Sequence, residues 1–149
     1  MASWLCILNR DNFEVVKKKL VWGVALRHSG QLAKAKPGDK CAFYLIGEDS
    51  GNEFKSPSIG GILEIISDMY EDTSNIFPSK IRAGENYPYR VRLKPINIFK
   101  DELLFKPLIP ILAFITNKKH YGGYLMGKAM RSIPDRDMKL ISEYGEVLG

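Results

Sequence analysis

The chain has two cysteines, two histidines and no long apolar run, and each of these shortages closes off a class of function. A membrane-spanning helix needs about 20 consecutive apolar residues, and no stretch here approaches that, so no membrane partner is expected. The start, Met1-Ala2-Ser3-Trp4, lacks both a basic n-region and a long apolar h-region, which speaks against a secretory signal and for the cytosol. Cys6 and Cys41 each lie inside an apolar, strand-like run, the usual setting of a buried free thiol. With no CxxC and only His28 and His120, neither a His/Cys zinc site nor any other metal or cofactor is expected.

Catalytic signatures are missing as well. A nucleophilic triad needs an activated nucleophile, a base and an orienting group, and the sequence contains no GxSxG elbow to display one. Gly122-Gly123 and Gly127-Lys128 do not have the GxxxxGK[ST] spacing that cradles phosphate, and no GxGxxG is present. The acid pairs Glu71/Asp72 and Asp101/Glu102 fall in loop-like sequence, where solvated surface explains them. No catalytic residue is nominated, and a binding module is expected rather than an enzyme. A hydrolytic reading would have to draw on His28, Glu64 or Lys128.

What is present fits one domain, residues 1–149, of ordinary globular composition. The net charge of +5 is unevenly spread: residues 1–45 carry +5, 46–75 carry −6, and 76–149 carry +6. Two basic stretches around an acidic one fit a polarised surface able to meet a phosphate backbone, or simply a well-solvated surface, so charge alone favours nucleic acid only weakly.

Ser3–Leu8 reads as a buried first strand. Asp11 and Glu14 have capping-box spacing, and Phe13, Val16 and Leu20 then form one helical face, with Lys17–Lys19 suiting the carboxyl end of the dipole. Gln31–Lys36 reads as a short helical turn that Pro37-Gly38-Asp39 ends. Lys40–Ile46 alternates as a strand, with Cys41, Phe43 and Leu45 on one face and Ala42, Tyr44 and Ile46 on the other. Glu48–Ser58 is a polar hairpin loop, and Ile59–Ser67 a return strand in which Gly60-Gly61 marks a bulge or a close backbone approach. Asp68–Asn86 is irregular, too long for a mere connection. In Tyr87–Ile98, Tyr87, Tyr89, Val91 and Leu93 alternate with Arg90, Arg92 and Lys94, a strand whose basic outer face is either a track for a nucleic-acid backbone or an ordinary solvated face. Pro107–Ile115 fits a short helix, Asn117–Gly127 a glycine- and tyrosine-rich loop, and Pro134 opens a last helix with the stripe Met138, Ile141, Tyr144, Leu148. The order favours an α+β domain on a curved, barrel-like sheet.

Aromatics are the stronger functional lead. Trp22 stands between Val21 and Gly23, directly before the polar Arg27-His28-Ser29, so it is either a core residue or a pocket wall. Gly23 removes a side chain beside the indole, which would let a planar ligand approach. Tyr44, Tyr70, Phe77, Tyr87 and Tyr89 can supply further faces. Stacking a base on an aromatic ring contributes roughly 1–3 kcal/mol, so two such walls can offset the few kcal/mol needed to flip a base out of its stack.

Trp4-Leu5-Cys6-Ile7-Leu8-Asn9-Arg10 with its helix, Val21-Trp22-Gly23-Val24 with Arg27-His28, Lys36-Pro37-Gly38-Asp39-Lys40, Tyr87-Pro88-Tyr89-Arg90-Val91, Gly127-Lys128-Ala129-Met130-Arg131 and Ile133-Pro134 occur here in one order. In that order they resemble an EVE-domain protein of the small archaeal and bacterial type, in the PUA-like superfamily that also holds the YTH readers of methylated adenine. The resemblance covers nearly the whole chain. It implies a five- to six-stranded curved β-barrel flanked by helices, and a partner that is RNA or DNA carrying a modified base. By position it makes Trp22 one wall of an aromatic cage, with Phe77 or Tyr87 as the second, and nominates Asn9, the Gly23 and Val24 backbone and Arg27 for polar contacts. Gly23 and Ala25 depart from the small hydroxyl residue that follows this tryptophan in YTH readers. The modification, the choice of DNA or RNA, and the oligomeric state stay open, as does a general PUA-like adaptor that reads backbone and shape.

Overall fold

The computed structural model describes residues 1–78, 85–125 and 127–148, without the side chains of Ser50 and Leu148. In chain order the elements are β1 (Ser3–Leu8), α1 (Arg10–Lys19), β2 (Val21–Val24), α2 (Ser29–Leu32), β3 (Lys40–Leu45), β4 (Glu48–Ser50), β5 (Glu53–Lys55), β6 (Ser58–Ile65), β7 (Tyr70–Glu71), β8 (Tyr89–Leu104), β9 (Met130–Ile133) and α3 (Asp135–Leu148). Six strands line up as β2-β8-β6-β3-β1-β9, with β7 added to β8 and β4–β5 forming a separate hairpin. The β1–β3 pair is parallel, and the other pairs are antiparallel.

The sheet curls into a half-barrel because one strand serves two neighbours. From Leu104 back to Leu93, β8 pairs with β6; from Arg92 to Tyr89 it pairs with β2. Bulges at Phe43/Tyr44, Ile59/Gly61 and Ile62/Leu63 sharpen the bend. A Cβ on Gly60 would lie 2.4 Å from the Phe13 ring, so the glycine lets α1 press its aromatic against the sheet.

Period-2 alternation sorts the core onto the two faces of the sheet. Cys6, Leu8, Cys41, Phe43 and Leu45 belong to the cluster that includes Phe13 and Trp22. Leu5, Ala42 and Tyr44 belong to the second cluster, under α3 and the 105–125 segment. Both cysteines are buried free thiols. Among the described residues no helix is long and apolar enough to cross a membrane.

Several local expectations are corrected. The cap of α1 is Asn9, whose side chain accepts from the Asn12 amide at 2.9 Å. Asp11 sits inside the first turn, where it complements the dipole, and Glu14 pairs with Lys17 at 2.7 Å instead of reaching back. The polar loop after β3 folds into the β4–β5 hairpin. Strand β8 begins at Tyr89 and runs to Leu104, while Tyr87 takes a left-handed backbone, φ 49°. Pro107–Ile115 contains a single 3₁₀ turn, Lys106–Leu108, instead of a helix. The buried side of α3 is Asp137, Met138, Ile141 and Gly145, whereas Tyr144 is 38% exposed. Gly145 is there because a Cβ would meet Phe99 at 2.1 Å. Leu148, assigned to that stripe, and positions 79–84 of the irregular stretch lie outside the described side chains and residues.

Candidate functional site

Beside Trp22 the fold leaves a cavity of about 760 Å³. The four residues of β2 are all buried, and Trp22, only 3% exposed, meets the Phe43 ring edge to face at 5.9 Å and 88°. The core therefore fixes the indole, and Trp22 is among the residues that line the cavity. Trp22 is core residue and cavity wall at once.

Phe77 and Tyr87 both border the same cavity. Their rings are perpendicular neighbours, 5.7 Å apart at 81°. They come from irregular chain, and what places them is Arg90. Its guanidinium donates to the carbonyls of Tyr87 (3.0 Å), Asn86 (2.8 Å) and Ser74, and to the Ser74 hydroxyl (2.8 Å). It also lies over the Phe77 ring, 5.5 Å from the centroid. Burial draws the Arg90 pKa down from its ordinary value, opposed by Asp72 and Tyr70.

Arg90 thus departs from the expectation that placed it with Arg92 and Lys94 as a phosphate contact. It is 1% exposed, because β7 pairs across it (Tyr70 opposite Arg90) and the chain after β7 folds over it. Arg92 and Lys94 are exposed; Arg92 lies over Tyr70 at 5.5 Å, and Lys94 is 3.4 Å from Glu64. That pairing sets Glu64 on the sheet ladder, outside the residues that line the cavity.

Gly23 has a different reason from the one its sequence position suggested. A Cβ there would come within 2.5 Å of the Tyr87 carbonyl oxygen and 2.9 Å of Arg90 Cγ. The space beside Gly23 is filled by the protein's own second wall, which can approach only because the side chain is missing.

The polar candidates stand around this frame. Asn9, Val24 and Tyr44 line the cavity. The Asn9 carbonyl oxygen serves the α1 cap, which leaves its amide nitrogen as the donor. Tyr44 packs edge-on to Phe105 at 4.8 Å, and burial with nearby Tyr121 pushes its hydroxyl up to about 12. Arg27, on the 3₁₀ turn Leu26–His28, is paired with Glu85. Burial and the Arg27 charge lower the His28 pKa, Glu85 opposing. That favours the neutral imidazole, which both donates and accepts.

Sequence reasoning missed the far side of the cavity. Lys119, His120, Tyr121 and Leu125, from the glycine- and tyrosine-rich segment that was given no role, line it together with Lys128. The loop is tied down by Tyr124, whose hydroxyl receives the amides of Thr116 (3.1 Å) and Asn117 (2.9 Å). The one available signal was glycine and tyrosine crowded into residues 121–127. Of the three groups a hydrolytic reading would need, His28 and Lys128 border the cavity and Glu64 does not.

The family model described as "EVE domain" matches residues 2–144. A UPF0310 protein of Pyrococcus abyssi is 53% identical over 141 residues, 95% of this chain and 97% of that relative. Among solved structures, human THYN1 protein in complex with 5-methylcytosine containing DNA superposes with a TM-score of 0.63 at 13% identity, over 98% of each chain. The YTH domain of Zygosaccharomyces rouxii MRB1 protein, in complex with N6-methyladenosine RNA, gives 0.58 at 15% identity, over 96% of this chain and 86% of that one. These likenesses establish a shared PUA-like α+β fold.

Proposed function

The chain belongs to the EVE-domain family, and from that premise we propose that it binds nucleic acid by holding one flipped-out, modified base between Trp22 and the Phe77–Tyr87 pair. The observation that carries this reading is the cavity whose lining brings Trp22, Phe77 and Tyr87 together, with Asn9 among the same lining residues. Two fold relatives hold methylated nucleic acid, one a DNA with 5-methylcytosine and the other an RNA with N6-methyladenosine, which supports the same class of ligand here. The protein acts by binding, without turnover.

Stacking of roughly 1–3 kcal/mol on Trp22 corresponds to about 5- to 150-fold in affinity. The test compares oligonucleotides containing 5-methylcytosine or N6-methyladenosine with their unmodified twins, as DNA and as RNA. A modified strand binds more tightly than its twin, and Trp22→Ala removes most of the difference. Trp22→Phe, which keeps a flat ring in the core, retains part of it. Equal binding of all twins by the wild-type protein would overturn the reading. A backbone-only RNA adaptor is the weaker alternative, because Arg90 is internal and Lys94 faces Glu64.

A further inference from the structure

The cavity is larger than a base requires. An apolar cavity of about 150 Å³ holds benzene, and this one, at about 760 Å³, is roughly five times that size. Its lining also crosses the sheet. Ile7 and Leu8 are successive residues of β1 and point to opposite faces, yet both border the cavity. The lining thus draws on both clusters: Leu8 and Trp22 from one, Tyr44 and Leu125, with Ile7 and Tyr121 packed against them, from the other.

The lining also carries nitrogen donors: Lys119, His120 and Lys128 border the cavity and are exposed. Arg27 is already paired with Glu85, and Lys118, the neighbour of Lys119, donates to the Leu112 carbonyl at 2.7 Å. The adjacent lysines are thus divided, one anchoring the loop and the other bordering the cavity. Gly122 and Gly127 border the cavity beside them, and Gly127 takes the left-handed backbone, φ 72°, that carries the chain into Lys128.

Resting on the reading proposed above, we infer that the site takes a whole nucleotide, its base against Trp22 and an adjoining phosphate on Lys119, His120 and Lys128. The lysines donate charge-assisted hydrogen bonds to the phosphate oxygens. His120 adds a ring N–H in either protonation state. The phosphate contact therefore lies at the cavity mouth, away from the Arg92 and Lys94 face.

The test uses 5-methyl-2′-deoxycytidine and N6-methyladenosine, each as the nucleoside and as its 3′,5′-bisphosphate, measured by titration calorimetry at about 50 and about 200 mM salt. For the modification that binds, the bisphosphate is tighter than the nucleoside by on the order of tenfold at the lower salt. This ratio shrinks at the higher salt and collapses towards one in Lys119→Ala/Lys128→Ala, two exposed positions where truncation leaves the fold intact. Equal affinity of nucleoside and bisphosphate overturns the inference while leaving base capture standing. A ratio that survives the double variant and disappears in Arg92→Ala overturns it too. If neither bisphosphate binds and the oligonucleotide twins also bind equally, both the inference and the base-capture reading fall.

Discussion

Replacing Arg90 with lysine separates a scaffold from a phosphate ligand. The guanidinium donates to four acceptors spread over Ser74, Asn86 and Tyr87. A single ammonium cannot span that set, because it lacks the planar fork. Deleting a hydrogen bond from a charged donor costs roughly 1.5–3 kcal/mol where the acceptor stays buried. Ser74 is exposed and can take water instead, while the Asn86 and Tyr87 carbonyls are half-buried. The expected loss is therefore about 2–4 kcal/mol, concentrated in the chain between β7 and β8. In hydrogen exchange, the Asp72 amide, bonded to Pro88 at 2.8 Å, should exchange roughly 30- to 1,000-fold faster. Modified-base binding should weaken as Phe77 and Tyr87 loosen, but the slope of log affinity against log salt should not change. A phosphate ligand behaves oppositely: its removal lowers that slope by about 0.7–0.9 and leaves the loop protected. A reduced slope with unchanged exchange at Asp72 would refute the scaffold argument.

Three further outcomes follow from single contacts. Burial of Asp39 opposes its ionisation, yet the Trp4 indole (3.0 Å) and the amides of Lys36 and Ala2 (2.9 Å each) hold its carboxyl below the usual range. A depressed carboxylate stabilises fully above the unfolded value near ~3.9 and loses that contribution as pH falls through the folded value; melting from pH 6 to pH 2 should show a steeper fall for wild type than for Asp39→Asn. Gly23→Ala places a methyl against the Tyr87 carbonyl, and should lower stability by about 1–3 kcal/mol in urea melts and weaken modified-base binding, whereas a glycine kept for ligand access would let the protein melt unchanged. Asp137, fully buried, accepts the amides of Ala113 (2.8 Å) and Phe114 (2.9 Å); Asp137→Ala leaves two donors unpaired and should lower stability by about 2–4 kcal/mol, while leaving the nucleoside-to-bisphosphate ratio unchanged.

The strands were legible where both faces of the sheet are covered evenly. In β3, Cys41, Phe43 and Leu45 part from Ala42 and Tyr44 as the alternation says, because hydrophobic layers lie on both sides. The glycines of β6 were legible for a similar reason, since a close neighbour had to fill the missing side chains. Arg90 was misassigned because alternation gives only the side of the sheet, not what lies over that side. Its cover comes from β7 and Ser74, held to it by tertiary hydrogen bonds that no local pattern encodes. The α1 cap failed by competition between Asn9 and Asp11, which both suit the role; the longer helix won. The 117–128 rim carries no periodicity at all, so only its composition was available to mark it.

Trp22 shows why spacing alone could not choose between core and pocket. A wall that selects one base from another must not move when the base arrives, so its supporting contacts have to be as tight as those of a core residue. In the site proposed above, Trp22 meets that condition through Phe43 and the β2–β8 ladder. Phe77 and Tyr87 have no strand of their own and meet it through Arg90 and Gly23 instead. The two walls thus share one joint, the Gly23–Arg90 pair across β2 and β8. A substitution of Arg90, which does not line the cavity, should reach the pocket without touching any residue that a base would contact. The distance between the walls is therefore a property of the fold, and selectivity for a modified base should rise and fall with the stability of the chain between β7 and β8.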